Sequence, residues 1–417
     1  MNGQRRQKRQ ERQKRQRWSV VTVLSVVAAA TVASAGCGRG AKRPAATVRD
    51  SAGVRIVENP ALPPDAPRLW TVAAEPSVDI GVLEGDEAYQ LSQVVGAVRL
   101  SDGRIVVANG GSRELRFFDS AGRHLVSAGR KGGGPGEFEQ LSTLFALPGD
   151  TVAAYDWTLR RVSFFDPNGA FVRSFNIAFP GAMPFPIGRF ADGAWLCNRG
   201  FTFRPRGTGA QVLRDTSSLL LFDPTGALRD SIGRFPGQEW YVVSQGNAAR
   251  AGSLPFGTNT VTAIADAGFY AGHSSRYAIT RYTEAGTPEV IIRLAWTPAP
   301  ITGDDLVRYK ADRMARATAG SRQRMERDYQ DMPFPHTFPA FVSFEVDPLG
   351  NLWVLAPSRP GDTRGRWVVF GPDGGARGAV ETPDGLWVRE IGRDYVLGTW
   401  QDELDVQHVR LHALRRS

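Results

Sequence analysis

Apolar and polar residues alternate in short runs along most of this chain, and each run stops at a turn rich in Gly, Asp, Asn or Pro. Arg104-Ile105-Val106-Val107-Ala108-Asn109 follows the turn Ser101-Asp102-Gly103, and Arg123-His124-Leu125-Val126-Ser127-Ala128-Gly129 follows Gly122. Period-two runs bounded by such turns predict strands joined in hairpins. One turn recurs: Phe117-Phe118-Asp119-Ser120-Ala121-Gly122, Phe164-Phe165-Asp166-Pro167-Asn168-Gly169, Leu221-Phe222-Asp223-Pro224-Thr225-Gly226, Arg281-Tyr282-Thr283-Glu284-Ala285-Gly286 and Val369-Phe370-Gly371-Pro372-Asp373-Gly374. A unit repeated at this spacing is one supersecondary element used many times.

The predicted unit is a four-stranded antiparallel meander, recurring at 150–174, 192–232, 266–292 and 349–380. Linkers between units also resemble one another: Gly129 to Phe138, Gly233 to Tyr241 and Gly81 to Tyr89. The first two follow a unit's last strand, so 76–81 is expected to be such a strand with no unit before it. The C-terminal segment from Leu386 to Leu414 supplies three strands and stops. Pairing 76–81 with 409–414 completes it. The expected fold is therefore all-β, a six-bladed β-propeller whose N-terminal strand closes the last blade.

The run from Val98 to Phe138 resembles an NHL-type repeat. The stretch beginning Asp50-Ser51-Ala52-Gly53-Val54-Arg55-Ile56-Val57-Glu58-Asn59 resembles the exported six-bladed, NHL-like or TolB-like propeller lipoproteins of bacteria, over residues 50 to 414. That resemblance implies the fold and an envelope location. It implies no particular activity, because propellers of this kind bind proteins or RNA or act as lyases.

Residues 1 to 17 hold eight Lys or Arg against the single acid Glu11, and an apolar run follows from Trp18 to Ala35. This is the layout of a signal peptide, expected over 1–36. It ends at Ser34-Ala35-Gly36-Cys37, which looks like a lipobox, although Ser34 stands where Leu is usual. Cys37 is the expected lipidation site, residues 37–50 a tether, and 51–417 the propeller. An uncleaved membrane anchor is the other reading, since the apolar run approaches the length of a bilayer span. The expected location is the cell envelope, as an outer-membrane lipoprotein facing periplasm or exterior, monomeric and held to the membrane by its lipid.

The formal charge of +9 lies mostly in residues 1 to 17, which leaves the remainder nearly balanced. A nucleic-acid partner is therefore not expected. With Cys37 acylated, Cys197 has no partner for a disulfide and reads as a small buried hydrophobe. Between the fourth and fifth turns, 301–332 departs from the strand pattern. Leu306, Tyr309, Arg313 and Ala317 fall at helical spacing, acidic residues open the segment, and Gly320-Ser321 is expected to divide it into two helices.

Specific catalytic signatures are absent from the sequence: there is no Gly-x-Ser-x-Gly, Walker sequence or His-Glu-x-x-His. His408 and His412 share a strand face but lack a third ligand at recognisable spacing. Gly132-Gly133-Gly134 reads as an inter-blade turn. The candidate ligand site is the set of loops after each blade's second strand, carrying Asn109, Asp156, Trp157, Arg160, Asn198, His273, Arg359 and Trp400. Equivalent propeller loops emerge on one face, so these groups could form a ring for an anionic or sugar-like ligand. Alternatively each serves its own turn, as polar turn residues commonly do. Two functions follow: a noncatalytic binding or scaffold module for protein, peptide or glycan, needing no cofactor, or a metal-assisted propeller hydrolase, lactonase or lyase. In the second, Asn109, Asp156 and Asn198 would offer oxygens to Ca²⁺.

Overall fold

The computed structural model describes residues 45–63, 68–200, 208–245 and 248–416; the expected signal peptide and Cys37 lie outside them. The turn that recurs in sequence recurs in conformation. Gly122, Gly169, Gly226, Gly286 and Gly374 have φ between 82° and 90°. That backbone is open to glycine and strained for other residues. The turn's Asp closes it: Asp119 Oδ1 accepts from Ala121 N and Arg123 N, and Asp166 Oδ1 from Asn168 N and Ala170 N.

Each such turn joins the third and fourth strands of an antiparallel sheet. The first sheet runs Val94–Arg99, Ile105–Asn109, Glu114–Phe118, His124–Ala128; the second runs Leu141–Leu147, Thr151–Asp156, Arg161–Phe165, Phe171–Asn176. The third begins Phe185–Arg189, Trp195–Asn198 and extends through the long hairpin Gly209–Phe222 and Leu228–Gln245 to Ala248–Ser253. The fourth is Thr260–Ala265, Gly268–His273, Ala278–Tyr282, Pro288–Leu294, and the fifth Ser343–Val346, Leu352–Leu355, Arg364–Phe370, Ala376–Asp384. The sixth contains Trp387–Ile391, Tyr395–Gln401 and Gln407–Arg416.

The N-terminal segment adds strands to two of these sheets. Val54–Asn59 lies parallel to Pro288–Leu294 at the edge of the fourth, with Thr47–Ser51 paired outside it. The tether expected over 37–50 thus gives way to a strand at Thr47, because these residues find unpaired backbone groups on an edge. Asn59 is buried and fastens this segment to the fifth sheet: its Nδ2 donates to Arg293 O and Gly374 O, and its Oδ1 accepts from Ala376 N. Val78–Ile80 then pairs antiparallel with the C-terminal strand, in the register Ile80 to Val409, Asp79 to Arg410 and Val78 to Leu411.

Apolar residues fill the interfaces between sheets. Phe117 and Leu115 of the first pack with Val152 and Phe165 of the second; Tyr155 and Phe164 pack with Trp195 and Phe222 of the third. Leu196 and Leu221 meet Phe269 of the fourth, Ile279 and Ile292 meet Phe344 and Phe370 of the fifth, and Trp353 and Val380 meet Val388 and Val396 of the sixth. Leu397 and Val409 of the sixth share a cluster with Val107 and Phe118 of the first, together with Val78 and Ile80. Inward-facing residues of successive sheets thus cover one another's apolar faces, the largest stabilising contribution available to sheets of this length.

The insert forms two helices, Gly303–Ala315 and Ala319–Asp331. The division falls at 316–318, so Gly320 and Ser321 lie in the second helix and not between the two. Thr302 caps the first helix in a reciprocal box with Asp305. Tyr309 packs edge-on against Phe256 and Phe334, Arg250 pairs with Asp328, and Arg359 Nη1 pairs with Asp305 at 2.6 Å.

Candidate functional site

The loops after the second strands are held by their own polar residues. Asn109 Oδ1 accepts from Ser92 N at 2.8 Å and its Nδ2 donates to Ser112 Oγ. Asp156 accepts from Glu139 N and Gln140 N through Oδ2 and from Leu159 N through Oδ1. Asn198 Oδ1 accepts from Gly200 N at 3.2 Å. All three oxygens suggested for Ca²⁺ are thus engaged by backbone N–H groups in three different sheets. Among the described residues no group of three or more His, Cys, Asp or Glu comes together as a metal site.

One of the eight candidates, Arg160, lines a cavity between the second and third sheets, and two more, Trp157 and Asn198, contact residues of its lining. Its volume is about 350 Å³, and Arg160, Gly181, Ala182, Met183, Phe185 and Gly200 line it. Arg160 follows directly on the turn that Asp156 closes, in left-handed backbone with φ 52°. Its carbonyl accepts from Ile177 N, and Asn176 Nδ2 donates to the preceding Leu159 O. Between the lining residues Met183 and Phe185, Pro184 O accepts from the buried Tyr155 hydroxyl at 2.6 Å. Phe185 stacks on Trp157 with 22° between planes, and the Trp157 Nε1 is buried without a hydrogen-bond partner. Asn198, through Gly200, shapes the rim.

The remaining candidates have other partners. His273 Nδ1 is 2.8 Å from Ser275 Oγ, and burial, with Arg214 nearby, lowers its pKa. Arg359 is engaged with Asp305 and lies over the Phe338 ring. Trp400 carries Arg410 on its face at 3.4 Å and lines a separate groove of about 440 Å³, whose charged residues include Arg68, Asp79, Arg364 and Glu381. His408 and His412 reach different groups: His408 Nδ1 is 2.7 Å from Asp79 Oδ1, and His412 Nδ1 is 2.9 Å from Ala73 O. Cys197 is buried, and burial raises its thiol pKa.

Sequence reading missed a group of charged residues on the first strands of the sheets. Burial and the neighbouring Glu390 charge push Glu345 up to about 8, against the pull of Arg389. Glu390 accepts from Arg99 N and from the Tyr395 hydroxyl, tying the sixth sheet to the first. A single Glu or Arg in a short strand carries no spacing signal; only the packing of these strands brings the residues together.

No known family pattern matches the chain. No curated protein matches it either. Among solved structures it is similar to a protein of Bacteroides fragilis described as exported, at 13% identity and a TM-score of 0.47 over 87% of this chain and 99% of that one. A DUF4221 family member of Bacteroides vulgatus shows 10% identity and a TM-score of 0.48 over 84% and 99%. A virginiamycin B lyase of Staphylococcus aureus shows 9% and 0.40 over 83% and 99%. None of these proteins' activities is carried to this chain. The chain itself is all-β, with successive antiparallel sheets packed in the manner of a β-propeller.

Proposed function

We propose that the six sheets are the blades of one ring, closed by Val78–Ile80, and that the protein is an exported, envelope-anchored module that binds a protein, peptide or glycan without catalysis. Ring closure is supported by the cluster joining Leu397 and Val409 to Val107 and Phe118. Export and lipidation at Cys37 are supported by the basic and apolar N-terminal sequence. Binding is carried by one observation: Arg160 is exposed at a cavity, and among the described residues its guanidinium pairs with no acid. A metal-assisted reaction would need Asn109, Asp156 and Asn198 to converge, and they lie at the strand ends of three different sheets, each bonded within its own sheet's loops.

The test is to screen the full-length protein and its Arg160→Ala variant in detergent against peptide and glycan arrays. Hits lost in the variant at unchanged melting temperature support the reading. Hits indifferent to Arg160, or a variant that melts earlier and binds as before, assign Arg160 to packing and overturn it.

A further inference from the structure

Among the described residues the cavity between the second and third sheets is lined by one charged side chain and an apolar wall, and this restricts what it can hold. We propose that it takes an apolar monocarboxylate, such as the C-terminal residue of a peptide, with the carboxylate on Arg160 and the apolar group against Met183 and Phe185. The proposal rests on the reading of this face as a binding surface and deepens it.

Arg160 differs from the arginines around it. Arg161 donates to the carbonyls of Gly133, Gly134 and Glu137; Arg173 lies over the Phe164 ring, and Arg199 over Phe179. Arg160 alone of these four has no such partner among the described residues, and it stands exposed at the cavity edge. A guanidinium offers paired parallel donors that match the two oxygens of a carboxylate. The backbone behind it is fixed by the bonds of Asp156 and Asn176 to Leu159, so the main chain that carries Arg160 is held at the cavity edge.

The rest of the lining is apolar or backbone. Phe185 is backed by Trp157 on one side and meets Tyr155 edge-on, which leaves it a rigid wall. Met183 beside it is the side chain that adapts most readily to an irregular apolar surface. Nothing lies within 4 Å of where a Cβ on Gly181 would be, so the backbone there is open to an incoming chain. Gly200 is closed instead, since a Cβ would lie 2.6 Å from Met183 O. A sugar acid would satisfy Arg160 but bring several hydroxyls to a wall that, among the described residues, has no polar side chain to receive them, and such groups are costly to bury unpaired. Among the described lining residues a phosphate would meet a single cation. About 350 Å³ is at the small end of ligand cavities, enough for one large residue and part of the next.

The experiment titrates four probes into the full-length protein in detergent: N-acetyl-Ala-Ala-Phe as free acid, the same peptide as C-terminal amide, phenylacetate, and glucuronate. Calorimetry gives affinity, and the change in tryptophan fluorescence that is lost in Trp157→Phe reports occupancy beside Phe185. The free-acid peptide is expected to bind roughly tenfold or more tightly than its amide, as charged hydrogen bonds require. Arg160→Gln should bring the acid to the amide's level, and Met183→Asp, which leaves Arg160 intact, should repel the acid. Binding of phenylacetate as well as peptide supports the class. Peptide alone identifies a chain terminus as its source, and phenylacetate alone a free acid. Acid and amide binding equally, or glucuronate binding as tightly as the peptide, overturns the monocarboxylate while leaving a binding cavity. Failure of all four probes overturns it too, and if the arrays also yield no Arg160-dependent hit, the binding reading falls with it.

Discussion

Gly122 and Val78 touch across the seam between the first sheet and the N-terminal strand: a Cβ on Gly122 would lie 2.8 Å from Val78 Cγ1. The same relationship recurs between other sheets. Gly169 would meet Val126, Gly226 would meet Asn176, and Gly286 would meet Ile232, each on the fourth strand of the preceding sheet. Val78 therefore fills the place of a fourth strand, although it comes from the other end of the chain. Gly122→Ala is expected to destabilise the protein by about 1–3 kcal/mol, the range for a non-glycine residue held in left-handed backbone. Gly149→Ala provides the comparison, because Gly149 has φ 74° but nothing within 4 Å of its missing Cβ. Denaturant unfolding should show the larger loss at Gly122; equal losses would mean that the seam with Val78 contributes nothing.

The N-terminal boundary makes a second prediction. Deleting 38–44 should leave stability unchanged, whereas deleting 38–59 removes Asn59 and its three bonds to the fourth and fifth sheets. Deletion through Gly81 should go further and expose the edge at Val409–Leu411, a template for aggregation. Light scattering and thermal unfolding of the three truncations would check the order. A soluble, cooperatively unfolding chain lacking 1–81 contradicts it.

Arg416 Nη1 lies 2.7 Å from Asp347 Oδ2, in a buried group where Trp353 Nε1 and Asn351 Nδ2 also donate to Asp347. Burial opposes the Asp347 charge, but these donors outweigh it and hold the pKa below 3.8. Stability from this carboxylate is present above the ordinary Asp range and is lost as pH falls through the lowered value. Arg416→Met should cost about 3–5 kcal/mol at neutral pH, as for a buried pair losing one partner. The deficit should shrink in acid. A variant equally destabilised at all pH values would place the loss in Arg416 packing over Trp70.

Glu345 behaves in the opposite sense. Its pKa is raised to about 8, so between the ordinary Glu value of 4.5 and that point the unfolded chain releases a proton that the folded chain keeps. Stability therefore falls as pH rises through this window. Glu345→Gln should raise the melting temperature at pH 8 to 9 and have little effect near pH 4. The same gain at both pH values would refute the assignment.

Lipidation predicts that Cys37→Ser abolishes fatty-acid labelling and releases the domain or leaves an unprocessed precursor. One acyl chain gives only marginal membrane binding, so release should be complete if further chains are lost with it. Labelling that persists in the variant would remove the lipoprotein reading.

Local chemistry was legible in the sequence wherever it was repeated. Asp119 and Gly122 announce a turn because the Asp oxygen and the glycine backbone fix it within six residues, and the structure has that turn. The insert was legible as helical from Thr302 to Asp331, but not its break: a glycine in a helix's first turn is inexpensive, so Gly320 did not divide it. The candidate ring was legible only as a set of equivalent strand ends. Nothing in sequence distinguishes Arg359, which anchors the insert through Asp305, from Arg160, which faces a cavity.

Alternation and turn residues by themselves determined an all-β chain of repeated antiparallel units, since both act over a few neighbouring residues. Tertiary structure alone decided that Thr47–Ser51 is a strand, that Val78 stands beside Gly122, that Arg160 lines a cavity whose Phe185 and Gly200 are backed by Trp157 and Asn198, and that Glu345 lies near Glu390. These relationships depend on which surfaces of distant segments cover each other. Burial is what gives a lone arginine or glutamate its chemistry, and burial is a property of the packed chain.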